Sequence, residues 1–385
     1  MIFRFKLLFL VSSIIFLFAF NLTANIEGNK QTGETHHDTG ITQHDKENSH
    51  PGTEATHHPE ETKFDPGTFI FDHIGDAHNW HLMTIKGKHI SVPLPVIVIS
   101  KYSGLHVFMS SHFHHGHSSY EGLELPAEGE YKGKIIEKPE NGEIYQPVDL
   151  SITKNVLAIF ISLIILAWII FAVARAYKQN PGVAPKGIQN LLEPVIIFIR
   201  DEVAMPSIGE KKYERFMPFL LTLFLFILIN NLMGLIPILP GGANVTGNIS
   251  VTMVLALFTF FITVINGNRN YWKHIFNGPG IPWWLKLPLP LIPIIELVGI
   301  FIKPFVLMIR LFANISAGHI IALGFFSLIF IFGGIQAGIG YGVSVISIAF
   351  TVFMTCLELL VAFIQAYVFT LLSAIYFGMA VEEHH

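Results

Sequence analysis

Five ionisable residues, Glu296, Lys303, Arg310, His319 and Glu358, lie inside two long apolar stretches, residues 289–332 and about 342–381. A charged side chain at the centre of a bilayer costs about 2.5–3.5 kcal/mol on insertion scales, so such groups face a partner or a water path. Their spacing is regular. Glu296, Lys303 and Arg310 recur every seven residues, which on a helix makes one stripe drifting by about 20° per step. Asn314 stays on nearly the same face. In the second stretch Glu358 and Gln365 are also seven apart, and Tyr376 follows eleven later, about three whole turns.

Folding the two stretches as a hairpin about position 337 pairs these groups by depth. Arg310 lies 27 residues before that point and Gln365 28 after; His319 lies 18 before and Glu358 21 after; Glu296 lies 41 before and Tyr376 39 after. The expected pairs are therefore His319 with Glu358, Arg310 with Gln365 in the middle, and Glu296 with Tyr376 at the far end. Histidine and glutamate can hand on a proton near neutral pH. Arginine cannot release one. The layout reads as two proton paths with a block between them, bridged by a carboxylate on a moving partner whose ionised form Arg310 favours. The structural alternative is a set of salt-bridged packing residues, with Lys303 snorkelling to the surface.

The elements that position these groups are membrane helices. Charged residues make up only 14% of the 385 and hydrophobic ones 51%, where a soluble domain carries about 25% charged; mean hydropathy is +0.53. Residues 156–173, 216–239 and 251–265 are each near the length that crosses a core of about 30 Å. The two polar-striped stretches, 44 and 40 residues long, are about 66 and 60 Å as helices. Either each breaks, or both slant by around 60°, far from usual tilts. A glycine cluster, Gly333, Gly334, Gly338, Gly340 and Gly342, separates them. The expected fold is an all-α polytopic membrane protein with about five embedded helices, ending in a long, steeply tilted hairpin. Residues 188–204 read as an amphipathic helix on the membrane surface, with Pro194 bending it.

Basic residues set the orientation. The 174–215 loop holds seven Lys and Arg and the 267–287 loop three, whereas 240–250 and 333–342 hold none. The first two loops are therefore expected inside, with the front end outside and the C-terminus inside.

That front end is polar: residues 25–150 carry 19 of the 28 acidic residues, and 15 of the 19 histidines lie between His36 and His117. Residues 1–24 read as a signal peptide, with Arg4 and Lys6 ahead of a short apolar run. Residues 25–66 read as a disordered His-rich segment. Residues 67–150 read as a small β-rich domain outside the membrane, with strands near 68–71, 90–100, 105–109 and 134–137. His112, His114, His115 and His117 are weak zinc or copper candidates, against the reading of a solvated loop. A lone Cys356 excludes an intramolecular disulfide framework. The net charge of −4 gives no electrostatic case for nucleic acid. Gly133-Lys134 runs into Ile135 and lacks the rest of a phosphate-binding loop.

The run Arg310-Leu311-Phe312-Ala313-Asn314, followed by Ala317-Gly318-His319, resembles the signature of subunit a of the F-type ATP synthase. Glu296, Lys303-Pro304, Gln365-Ala366-Tyr367, Tyr376, the closing Met379-Ala380-Val381-Glu382-Glu383-His384, and Asn230, Asn231, Leu232 and Asn248 extend the likeness. It covers residues 151–385. The resemblance implies that Arg310 faces a rotating c-ring between two aqueous half-channels. His319, Asn314 and Glu358 would serve the outer one and Glu296 the inner, with Lys303, Gln365 and Tyr376 along the path. It further implies b-type peripheral stalk subunits and membrane lipid as partners, no cofactor, no nucleotide site, and a bacterial inner membrane with the front domain periplasmic. Family members often hold a carboxylate at the His319 position and a histidine at that of Glu358, so the pair is exchanged here. Ala313 replaces a usual glycine, and Val306 stands where some members have serine. A reading from another class remains: a metal-ion transporter with a His-rich sensor domain.

Overall fold

The computed structural model describes residues 65–85, 88–116, 118–127, 129–138, 144–179, 184–236, 241–276 and 291–382. The expected signal peptide and nearly all of the His-rich segment lie outside them.

The front lobe begins with a helix where a strand was expected. Asp65 accepts hydrogen bonds from the Gly67 and Thr68 backbone N–H groups at 3.0 and 3.2 Å, and Pro66 opens α1 (Pro66–Ile74). A capping aspartate followed by proline at the first helical position is a helix start, and it overrides a four-residue apolar run. Seven short strands follow: β1 (Asn79–Ile85), β2 (Lys88–Pro93), β3 (Pro95–Ser100), β4 (Gly104–Met109), β5 (Leu123–Glu124), β6 (Ile136–Glu137) and β7 (Val148–Asp149). The single strand expected over 90–100 is two strands, broken at Leu94. The strands form three small antiparallel sheets, β1-β2, β4-β3-β7 and β5-β6. Alternate residues of β3 point inward, and Val96 and Val98 join Phe113, Leu123 and Ile135 in the lobe's core.

Among the described residues five helices are long and apolar enough to cross a membrane: α2 (Lys154–Gln179), α5 (Tyr213–Leu235), α6 (Ile249–Asn266), α8 (Leu291–Ile335) and α9 (Ala337–Val381). The chain is a polytopic all-α membrane protein with a small β-containing front lobe. The expected surface helix is α3 (Ile188–Phe198). It runs through Pro194 into a π-helical segment, Ile199–Ala204, and then α4 (Met205–Ile208). A further helix, α7 (Arg269–Phe276), was not foreseen.

The last two helices do not break. At 45 residues each they are about 67 Å long, so a core of about 30 Å accommodates them only at a slant near 60°. The turn between them is a single residue, Gln336, with extended backbone. The glycine cluster is therefore helical rather than a loop. A β-carbon on Gly340 would stand 2.7 Å from the Gly333 Cα, so these glycines let the two backbones meet at the hairpin tip. Buried residues make up 56% of the most apolar part of α5 but only 11% of that of α8 and 17% of that of α9. The hairpin thus presents a long face that the other described residues leave uncovered.

Candidate functional site

The polar stripes of α8 and α9 meet at His319 and Glu358. His319 Nδ1 lies 2.7 Å from Glu358 Oε1, within ion-pair distance though not aligned as a hydrogen bond. Glu358 is 7% exposed. Two glycines make room. A β-carbon on Gly318 would come within 2.7 Å of Glu358 Oε1, and one on Gly234 within 3.4 Å of His319 Nε2. The ring of His319 therefore spans from Glu358 to the end of α5 and the 241–248 loop. That loop is fixed by a buried polar chain. Thr246 Oγ1 donates to Asn231 Oδ1 at 2.6 Å, and Asn231 Nδ2 donates to the Ala362 carbonyl on α9 at 2.9 Å. Ser316 Oγ donates to the Gly247 carbonyl at 3.1 Å, and Asn248 caps α6. The expected pair of His319 with Glu358 is thus present, at the end of the molecule that carries the 241–248 loop.

At the opposite end the pairing differs from expectation. Lys303 Nζ, rather than Glu296, meets Tyr376: it sits 5.7 Å from the centre of that ring and 3.9 Å from Met379 Sδ. The count about position 337 therefore misses by one heptad, the contact falling seven residues nearer the turn than Glu296. Lys303 and Tyr376 line a cleft with Thr259, Thr263, Tyr271 and Met379, between α6, α7, α8 and α9. Glu296 is half-buried, and its charge acts on Tyr271. Burial, and then the Glu296 carboxylate, push the Tyr271 phenol above its ordinary value, so it remains a hydrogen-bond donor there.

Tyr271 and its support were missed by sequence reasoning. Asn268 Oδ1 accepts from the Tyr271 N–H at 2.7 Å, which starts α7. The Asn268 backbone N–H donates to the Ala380 carbonyl at 2.9 Å, and Nδ2 donates to the Glu382 carbonyl at 2.6 Å. α7 is thereby tied to the end of α9. On the same side Lys212 Nζ donates to the Val381 carbonyl at 2.7 Å, and a β-carbon on Gly378 would collide with the Ser207 carbonyl. Asparagine three residues ahead of Tyr271, directly after Gly267, was the available signal.

Arg310 stands between the two clusters. It is exposed on α8, as is Asn314. Among the described residues it makes no hydrogen bond or ion pair. The expected pair with Gln365 is not formed; Gln365 is buried. Along the helix Arg310 is seven residues from Lys303 and nine from His319, or about 10 and 14 Å. A hydrogen bond spans about 3 Å. The two clusters are therefore separate, and the surface between them is one unpaired cation on an open helical face.

Of the four metal candidates, His112 and His114 are described with their side chains. His112 stacks on Tyr120 at 4.3 Å, and His114 has left-handed backbone. His117 and the His115 side chain lie outside the described residues. Among the described residues no group of three His, Cys, Asp or Glu could hold a metal ion.

Residues 156–378 match the family model described as ATP synthase A chain, and residues 69–156 match a domain of unknown function. The chain is 45% identical over 245 residues to the ATP synthase subunit a of Chloroherpeton thalassium, covering 61% of this chain and 69% of that one. It is 44% identical over 251 residues to ATP synthase subunit a 2 of Chlorobaculum tepidum, covering 62% and 67%. It is 40% identical over 244 residues to subunit a of Myxococcus xanthus, covering 62% and 75%.

Proposed function

The chain belongs to the ATP synthase subunit a family, and on that premise we propose how its own residues carry the proton. It is the proton-translocating stator subunit of the F-type complex, a membrane protein working against the c-ring. The observation that carries the site assignment is the open, unpaired Arg310 between the His319–Glu358 pair and the Lys303–Tyr376 cleft.

A proton enters past the 241–248 loop and Asn231, reaches His319 and passes to Glu358. From there it protonates a carboxylate on the ring. The neutral carboxyl can move into lipid, where an ionised one could not. After a turn the same group arrives at the cleft of Lys303, Tyr376 and Tyr271. The proton leaves there toward Glu296. Arg310 favours the ionised carboxylate as it passes between the two sites, and because it never deprotonates it blocks a direct leak. Asn314 and Gln365 flank that passage. Each proton crossing 100 mV delivers about 2.3 kcal/mol, taken up as rotation.

Residues 151–385 form the membrane part and 67–150 the front lobe, which faces the periplasm, while the C-terminus faces the cytoplasm. The basic loops support this orientation, as does the packing of α1 against α8 beside the hairpin tip. Residues 1–24 are an export signal. Nucleotide chemistry belongs to other subunits, and b-type stalk subunits hold this one still. In reconstituted complexes Arg310→Ala should abolish ATP synthesis and admit passive proton leak. Unaltered ATP-driven pumping by that variant would remove the assignment.

A further inference from the structure

The lobe over residues 69–156 is a family of unknown function, and its contacts suggest one. Its base is tied to the start of α2 at several points. Asp76 Oδ1 accepts from the Asn155 N–H at 3.0 Å, and Asp76 Oδ2 from Thr153 Oγ1 at 2.7 Å. The Lys154 backbone N–H donates to the Ala77 carbonyl at 2.9 Å, and Lys154 Nζ to the His73 carbonyl at 3.2 Å. Trp80, 2% exposed, belongs to the same apolar core as Ala158 and Ile159 of α2. From this base α1 leans onto α8, where Phe69 meets Phe330 with ring centres 6.3 Å apart.

The position of that contact matters. The 241–248 loop and the end of α5 reach α8 at Ser316 and His319. Beyond His319, α8 continues for sixteen residues to Ile335, about 24 Å. Along this extension its polar and aromatic contacts with α9 are Ser347 Oγ donating to the Phe325 carbonyl and Phe325 stacked on Phe350. The hairpin tip is thus a projecting arm, and α1 packs against it near its end. The arm carries the face on which the ring acts.

We propose that this lobe is an external brace, joining the projecting tip of the ring-facing hairpin to the first membrane helix so that the tip holds its position under load. The packing of α1 on α8 resists displacement of the tip, and the four hydrogen bonds and shared core at the base hold α1 itself in place against α2.

The inference rests on the ring-facing assignment of α8, and its test separates the two. In the whole complex carrying Cys356→Ser, Phe69→Cys combined with Phe330→Cys should cross-link through a short bifunctional thiol reagent while ATP-driven pumping continues, because a brace does not move. Phe69→Ala should assemble and hydrolyse ATP normally but sustain a smaller proton gradient per ATP hydrolysed, by about twofold to tenfold, the range of one aromatic contact. Absence of the cross-link, loss of pumping on cross-linking, or an unchanged gradient in Phe69→Ala would each overturn the brace. Should Phe69→Ala fail to assemble, the cross-link and its effect on pumping still decide. Pumping by Arg310→Ala would instead sink the ring-facing assignment and leave the cross-link as it was.

Discussion

Gly318→Ala tests the outer proton pair with one methyl group. The added carbon would stand 2.7 Å from Glu358 Oε1, 2.8 Å from its Cγ and 3.1 Å from its Cδ. Ordinary contact begins near 3.5 Å, so the side chain must retreat by about 0.7 Å or more. Glu358 is buried and its neighbours are packed, so the retreat is against resistance. It also stretches the 2.7 Å approach of His319 past the hydrogen-bond range of about 3.2 Å. Overpacking of this kind costs roughly 1–3 kcal/mol. If that cost falls on the transfer step, at 1.36 kcal/mol per factor of ten, conduction should drop by about tenfold to a hundredfold. The assay is passive, potential-driven proton flux through the membrane sector in vesicles with the catalytic sector removed. Gly324→Ala is the control, because a carbon there meets nothing within 4 Å on the same helix. Equal flux in the two variants would refute the claim that protons pass between His319 and Glu358.

Two further expectations concern the supports of the site. Asn268→Ala removes the cap of α7 and its side-chain bond to the Glu382 carbonyl. A lost cap costs about 1 kcal/mol, so amide exchange over 269–276 should quicken several-fold, and unchanged exchange would show that α7 is held by other means. In the lobe, burial raises the Asp149 carboxyl, but the hydrogen bond and charge of His78, with two bonds from Ser151, bring it below its ordinary value. A depressed folded value means that the pair stabilises the lobe in full above the ordinary carboxylate range near pH 4 and loses that contribution as pH falls through the folded value. Asp149→Asn should therefore remove the acid-dependent part of the protection of β3 amides, measured against the unaltered protein at matched intrinsic exchange rates; identical profiles would exclude the pair as its source.

Much of the site was legible because charge in a 40-residue apolar run has few places to go. Arg310, His319 and Glu358 were found by type and spacing, and depth counting joined the last two. The same counting failed for Glu296 and Tyr376, because equal distances from the turn assume two helices in strict axial register, whereas Tyr376, 40 residues after Gln336, meets Lys303, 33 before it. Tyr271 escaped because α7 is short and polar, with no apolar period long enough to stand out beside the spans. The glycines of 333–342 suggested a loop, since glycine in sequence signals both flexibility and close approach; the contact of Gly340 with Gly333 decides for the second. Residues 68–71 read as strand because four apolar residues fit either period, and only Asp65-Pro66 ahead of them discriminates.

The central claim is that Arg310 lies open toward the rotor, without a hydrogen-bond or ion-pair partner among the described residues of its own chain. In the assembled complex carrying Cys356→Ser, Arg310→Cys should form an oxidative cross-link to a cysteine placed beside the proton-carrying carboxylate of the ring. The same Arg310→Cys protein should give no cross-link between position 310 and a cysteine at 365 or 376 of its own chain. A link confined to the chain itself, with none to the ring, would contradict the account.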